Sequence, residues 1–425
     1  MLILLSALIL LLVAGIPVAY ALGLSSLAYF LLVNPDLMAV MPQRVFSGMN
    51  NYALMSLPLF ILMGQVMNAS GITARLIDMS MLVVGRLRGG LGMVNIFSSM
   101  IFGGISGSST SDTASVGAVM IPEMKRRGYS PEFAAGITVA SSTMGMIIPP
   151  SVPIVLYAIV AQESVGKLFL GGLIPGLMVG LLQLFIMFSI AYRRKYPREN
   201  FKLQSGTALK QSLGFIVVLT MPVAVVGSVV FGIATATESA AIGVVMALLI
   251  GLMITGSGSI RSLPDSLRTS IMMSSRIMII IAFSQLFVWI LVYERVPEQI
   301  ATLITDLDLG PIAVLLIINV IVLMLGTFID VSPAILLLTP TLLPAAQAAG
   351  VSGLQFGIVL ISGLAVGACT PPVGNCLNVG ATISGLSIGR IFSGAAPFLL
   401  ANVLTLIAIS LFPPLVEWIP SLWMD

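Results

Sequence analysis

An all-α polytopic membrane protein built from two related halves is the fold class this sequence predicts. Three observations carry it. Of the 425 residues, 58% are hydrophobic and only 8% charged, where a soluble domain would carry about 25% charged residues. Apolar runs approaching the ~20 residues of a spanning helix recur from end to end, without the alternation that strands of a membrane barrel would show. Glycines and prolines also repeat at one constant spacing.

The first run, Met1 to Val33, lacks a basic leader and exceeds the length of a signal peptide, so it is read as one retained span. Cys369 and Cys376, seven apart in an apolar stretch, fit small buried side chains better than a disulfide framework or a zinc site. The absence of histidine excludes HExxH metalloproteases, histidine-ligated haem and histidine proton relays. The net charge of +3 gives no sign of nucleic-acid binding.

The constant spacing is 222 residues. It pairs Gly104 with Gly326, Pro122 with Pro344, Gly128 with Gly350, Gly145 with Gly367, Pro149-Pro150 with Pro371-Pro372, Gly172 with Gly394 and Pro175 with Pro397. So many coincidences at one ungapped offset indicate a duplication. Each half holds two apolar legs joined by a polar tip, 92–128 and 310–350. An apolar segment broken at the double proline follows, 131–160 and 352–384. Proline removes an amide donor and clashes with the preceding turn, so these helices are interrupted. Non-helical backbone at membrane depth persists only where protein buries it or a cavity borders it. Paired broken helices in corresponding halves point to a transport site.

Basic loops mark the cytoplasmic side. Arg193, Arg194, Lys195, Arg198 and Lys202 form the strongest run; Arg75, Arg86 and Arg88 precede the first tipped pair, and Lys125, Arg126 and Arg127 follow it. That pair is read as a re-entrant hairpin opening inward. The second pair, flanked by Asp306, Asp308 and an uncharged alanine stretch, opens outward, which makes the repeat inverted. Nine crossings, at 3–33, 52–69, 132–160, 168–191, 212–232, 238–255, 271–293, 354–384 and 392–412, put the N-terminus in the cytoplasm and Glu417 and Asp425 outside. Arg261, Arg268 and Arg390 then fall inside, Glu294 and Glu298 outside. Amphipathic stretches 72–87 and 296–307 serve as interfacial arms. The chain divides into scaffold and arm (1–91), first transport half (92–191), second scaffold and arm (192–309) and second transport half (310–425).

The first tip, Ser106 to Asp112, packs hydroxyls and one carboxylate into seven residues, hard oxygen ligands suited to Na⁺. The plainer alternative makes Asp112 the N-cap of the returning helix. Asp330 is its counterpart in the second tip; an intramembrane carboxylate costs roughly 2.5–3.5 kcal/mol on insertion scales and calls for a role, N-capping being the plain one. Glu238 is either a site residue or a favourable helix start. Arg276 either snorkels to the interface or binds an anion. Gly172, Gly176 and Gly180 at four-residue spacing predict close helix packing.

Ile105-Ser-Gly-Ser-Ser109, Ile121-Pro-Glu-Met124, Ile147-Ile-Pro-Pro-Ser151 and Thr235-Ala-Thr-Glu-Ser-Ala-Ala241, in this order, resemble the large membrane subunit of tripartite ATP-independent periplasmic (TRAP) transporters over nearly the whole chain. The resemblance implies an elevator-type Na⁺ symporter in a bacterial inner membrane. It also implies a small four-helix membrane subunit and a periplasmic substrate-binding protein delivering an organic anion. Carried over, the Na⁺ ligands fall at Ser106, Ser108, Ser109, Asp112, Gly145 and Pro149, and at Gly326, Thr327, Asp330, Gly367 and Thr370. The anion falls between the tips, near Ser108, Pro150, Arg276, Pro372 and Asn375. Thr235-Ala-Thr-Glu238 departs from the Thr-Pro-Thr-Glu of many members. Asp112, which many dicarboxylate-type members lack, favours a sialic-acid type of substrate. A stand-alone Na⁺/dicarboxylate symporter of the same superfamily is the nearest rival, and a channel is a third class. An enzyme is disfavoured: the serine-rich tip has no histidine partner, there is no GxGD motif, and Lys125 lies at the cytoplasmic edge.

Overall fold

A computed structural model describes residues 2–194, 196, 205–255, 261–307 and 309–424. Lys195, Arg198, Lys202, Asp308 and Asp425, used above to orient the chain, lie outside the described residues. Among these residues the chain is helical, with no β-strand.

The first 33 residues correct the single-span reading. They form two helices, α1 (Leu2–Val13) and α2 (Val18–Leu32), that lie side by side. Gly15 turns the chain at φ +80° and Pro17 follows it, a pair that stops one helix and redirects the next. At 1.5 Å per residue the two helices reach only about 18 and 22 Å, short of a ~30 Å hydrocarbon core. Leu4 and Leu8 of α1 pack with Leu22 and Phe30 of α2 on Leu286, Phe287 and Ile290, and the Tyr29 hydroxyl donates to the Glu294 carboxylate.

Helix α3 (Val40–Met49) lies along the long helix that carries those last residues, where Gly48 lets it close on Gln285. Among the described residues, six helices are long and apolar enough to cross a membrane: Tyr52–Ala69, Val165–Arg193, Ala236–Met253, Leu263–Tyr293, Val331–Ala348 and Ile388–Leu411. A bent pair, Pro131–Ile147 and Val152–Ala161, makes a seventh, with 40° between its parts. The expected spans at 212–232 and 354–384 contain shorter apolar helices, Ile216–Val230 and Gly353–Gly367. Val331–Ala348, read from sequence as a hairpin leg, is long enough to cross alone.

The body of the protein repeats its elements at the 222-residue offset. After α4 (Ser56–Ala69) come α5 (Ile72–Val84), α6 (Gly90–Ser106), α7 (Ser109–Arg126), the broken series α8 (Pro131–Ser142), α9 (Met144–Ile147) and α10 (Val152–Ala161), and α11 (Val165–Arg193). Helices α12 (Ser205–Val230), α13 (Ala236–Thr255) and α14 (Leu263–Tyr293) follow. Then come α15 (Val296–Asp306), α16 (Pro311–Gly326), α17 (Val331–Ala348), α18 (Gly353–Gly367), α19 (Asn375–Ser384), α20 (Ile388–Leu411) and α21 (Pro414–Trp423). The bounds of α7 and α17 differ by that offset at both ends. The two amphipathic arms rest on the hairpins, α5 on α6 and α15 on α17.

The halves interlock. Gly136 of α8 and Gly394 of α20 bring their backbones so close that a methyl on Gly136 would lie 2.3 Å from the Gly394 carbonyl carbon. Buried amides tie the same seam: Gln183 Nε2 donates to Asn402 Oδ1 at 2.7 Å, and Asn402 Nδ2 to Thr143 Oγ1 at 2.6 Å. At the hairpin base Lys125 Nζ donates to the Ser384 carbonyl at 2.8 Å and Arg390 pairs with Glu132. Gly172, Gly176 and Gly180 serve the predicted close packing, since methyls there would strike Ile147, Ile148 and Met100. Helix α21 was not anticipated. Its Trp418 and Trp423 are exposed, and Trp423 meets Phe231 edge-on at 5.8 Å. Two tryptophans after the last apolar run are the signal that marks an interface-lying segment.

Candidate transport site

The two hairpin tips are built alike but carry different chemistry. Helix α6 ends at Ser106, Gly107 turns at φ +61°, and extended Ser108 opens α7. In the second half, α16 ends at Gly326 and Asp330 opens α17, its Oδ1 accepting from the Val331 amide at 2.8 Å. At the 222-residue offset Asp330 matches Ser108, whereas Asp112 matches Ala334. The two carboxylates are therefore not equivalent. The capping alternative holds for Asp330 and fails for Asp112, which lies one turn inside α7. Asp112 is fully buried, takes a hydrogen bond on Oδ1 from Ser99 Oγ at 3.4 Å, and has no partner on Oδ2.

Each tip docks on the proline break of its own half through glycine. A methyl on Gly103 would lie 2.9 Å from the Gly145 Cα, one on Gly145 would lie 3.3 Å from Ser108, and one on Gly104 3.0 Å from the Pro149 carbonyl. The Val152 amide donates to the Gly107 carbonyl at 3.3 Å. In the second half Gly326 and Gly367 make the corresponding contact, and the Gly374 amide donates to the Thr327 carbonyl at 3.3 Å. Thr370 Oγ1 turns back to the Val366 carbonyl. Across the halves, Cys376 Sγ donates to Ser109 Oγ at 3.1 Å and Cys369 Sγ to the Val139 carbonyl at 3.3 Å. The cysteines thus pack as expected, with weak hydrogen bonds added.

The tips meet at a cavity of about 280 Å³. Ser106 to Ser111 and Asp330 to Ser332 form one wall; Gly64 and Gln65 of α4 and Met273 and Arg276 of α14 form the other. Of the residues singled out from sequence, Ser106, Ser108, Ser109, Arg276 and Asp330 line it. Gly326 and Thr327 belong to the second tip, and Gly145, Pro149 and Gly367 to the breaks on which the tips pack; none of these lines it, nor do Asp112, Thr370, Pro150, Pro372 and Asn375. Hydroxyls and a carboxylate are hard oxygen donors that suit a hard cation, and a guanidinium such as that of Arg276 pairs with anions.

Two residues were missed. Gln65 lines the cavity, and Asn68 Nδ2 donates to Ser111 Oγ at 3.3 Å, linking α4 to the first tip. Amides inside an otherwise apolar span were the available signal. Glu238 resolves to the structural alternative. Its carboxylate accepts from the Thr235 amide and hydroxyl, each at 2.8 Å, while the Glu238 amide donates to Thr235 Oγ1 at 3.3 Å. This is the reciprocal capping box of Thr-x-x-Glu.

A cavity bordered by two helical tips and two long apolar helices, inside an apolar body whose helices approach through glycine, belongs to a membrane transporter. The family described as "Tripartite ATP-independent periplasmic transporter, DctM component" matches residues 5–415, and the chain belongs to that family. It is 33% identical over 421 residues to the sialic acid TRAP transporter large permease protein SiaM of Vibrio cholerae, covering 97% of each chain. It is 34% identical to the C4-dicarboxylate TRAP transporter large permease protein DctM of Pseudomonas aeruginosa, covering 95% of this chain and 94% of that one. The fold also matches the YdaH transporter of Alcanivorax borkumensis at a TM-score of 0.62 and 15% identity, over 92% of this chain and 90% of that one. The protein is a multi-pass bacterial inner-membrane transport protein and not an enzyme.

Proposed function

We propose that this chain is the large subunit of a Na⁺-coupled importer of an organic anion, a carboxylate or sugar acid, working by an elevator motion. The observation that carries the reading is the meeting of both tips with Arg276 at one cavity. Sodium sits at each tip against the facing proline break. Ser106, Ser108, Ser109 and Asp112 serve the first site with Gly145 and Pro149, and Gly326, Thr327 and Asp330 the second with Gly367 and Thr370. The anion lies between the tips on Arg276. Fixed donors at unwound backbone replace the hydration shells of ion and substrate, and binding both neutralises the charges a moving body must carry through the bilayer.

The two halves lie inverted in the membrane, the first hairpin opening to the cytoplasm and the second to the periplasm. The return of α1 onto α2 removes one crossing from the count. Orientation therefore rests on the hairpin bases, Arg126 and Arg127 on one side and the uncharged 345–349 on the other. A small four-helix membrane subunit completes the scaffold, and a periplasmic binding protein delivers the substrate; a large permease of this family implies both.

The test is uptake into proteoliposomes holding this chain and the small subunit, with binding protein outside. Uptake driven by an inward Na⁺ gradient, lost without the binding protein and in Arg276→Gln, is the expected result. Uptake indifferent to Na⁺ removes the coupling, and full uptake without the binding protein favours a stand-alone symporter.

A further inference from the structure

The cavity's two walls differ in kind. The tips contribute hydroxyls at Ser106, Ser108, Ser109, Thr110, Ser111 and Ser332, whereas α4 and α14 contribute one amide, Gln65, and one guanidinium, Arg276. Gln65 is half-buried, and its Nε2 touches the Met273 sulfur at 3.7 Å. A thioether is a weak acceptor, so a ligand oxygen readily takes its place. Met273 precedes Arg276 by about one helical turn, roughly 5 Å along the axis. The amide and the guanidinium therefore face the same ligand a few bonds apart.

Charge bookkeeping narrows the ligand. Among the described residues, Arg276 is the one cation lining the cavity and Asp330 the one anion. On the reading proposed above, on which this inference rests, the two sodium ions are balanced by two carboxylates, Asp112 and Asp330. Arg276 remains as the single uncompensated charge, so one carboxylate completes the site. A second carboxylate on the same ligand would face serine and threonine hydroxyls with no cation of its own and would gain no charge-assisted pair. A volume of about 280 Å³ lies just below the ~300–1,000 Å³ of typical small-ligand pockets, which favours a compact ligand.

We propose that the transported anion is a hydroxylated monocarboxylate of the sugar-acid class, and that Gln65 is its specificity-determining residue. Arg276 takes the carboxylate. Gln65 reads a hydroxyl or carbonyl oxygen close to it, and the tip hydroxyls take the rest of the polyol. A site built to hydrogen-bond a ligand oxygen rejects the analogue lacking it, because its own polar group is left unpaired. The discrimination resides on the stationary wall.

The experiment measures binding to the purified complex of this chain and its small subunit in Na⁺ buffer, by thermal stabilisation. The probes are N-acetylneuraminate, gluconate, succinate and propionate. The expected result is that the two hydroxylated acids bind best. Gln65→Met, which keeps the volume, lowers their affinity about tenfold, equivalent to about 1.4 kcal/mol, and leaves propionate within about twofold. Arg276→Gln weakens every anion. Should Gln65→Met fail to fold, Gln65→Asn withdraws the amide by one methylene and reads the same selectivity. Succinate binding more tightly than the hydroxylated acids, or the Gln65 variants leaving all four affinities alike, overturns the inference while the Na⁺-driven uptake test above still stands. Stabilisation by none of the four, or equal binding to Arg276→Gln, overturns the reading of the cavity itself.

Discussion

Gly367 and Gly326 touch backbone to backbone: a methyl group on Gly367 would lie 2.6 Å from the Gly326 Cα. The corresponding methyl on Gly145 would lie 3.3 Å from Ser108. Of the two break glycines, Gly367 thus has no room for a methyl, whereas Gly145 has a few tenths of an ångström to give. Gly367→Ala should cost about 1–3 kcal/mol, the range for overpacking a close-packed interior, and abolish uptake. Gly145→Ala should keep measurable uptake. Melting temperature and Na⁺-driven uptake on both variants check the asymmetry; equal damage would contradict it.

Asn68 holds the first tip to α4 through Ser111. A hairpin that moves against α4 must break this bond. Asn68→Ala removes a neutral hydrogen bond worth about 0.5–1.5 kcal/mol, enough to shift a docking equilibrium several-fold. The expected outcome is a changed accessibility of a cysteine placed at Ser108, with melting temperature altered little. Unchanged labelling kinetics would show that the contact does not gate the tip.

Asp112 and Asp330 separate by environment. Asp112 is fully buried with an unpartnered Oδ2, whereas Asp330 caps α17 at the cavity wall. Replacing either by Asn keeps its size but removes the charge that, in the proposed transport cycle, balances a sodium ion. Each variant should express normally and lose at least about tenfold of Na⁺-dependent uptake, a change of about 1.4 kcal/mol. Retained Na⁺ dependence in both would remove the tips as ion sites.

Thr235 and Glu238 close a capping box and do not line the cavity. Thr235→Val should destabilise by about 0.5–2 kcal/mol, the usual loss for a removed cap, with substrate affinity unchanged. Glu238→Gln keeps an acceptor and should transport nearly as the parent does. A selective loss of substrate affinity in Glu238→Gln would return this residue to the site.

Cysteines near 126 and near 346 report the orientation of the hairpins. Membrane-impermeant reagent should reach the first only from the cytoplasm and the second only from the periplasm. Labelling of both from one side would rule out the inverted arrangement.

The helical class, the duplication and its breaks were legible because they depend on local chemistry: apolar run length, proline geometry, glycine at turns and the period of their recurrence. The 222-residue offset even places the bounds of α7 and α17. The same local logic overran at residues 2–33, where one apolar run concealed the turn at Gly15 and Pro17 and was counted as a span. It also paired Asp112 with Asp330 by residue type, although the register aligns Asp330 with Ser108.

By itself, then, the sequence determined that this is a duplicated helical membrane protein whose polar tips and proline breaks correspond between halves. Only the tertiary structure decided which polar groups share a space. Gln65, Arg276 and Asp330 lie on three helices far apart in the chain, yet they border one cavity. Asp112, within the first tip's own motif, turns away from it into the body. The physical reason is that helical periodicity sets which face a residue occupies, while the neighbour that face meets depends on how distant helices pack. No spacing within one segment encodes that.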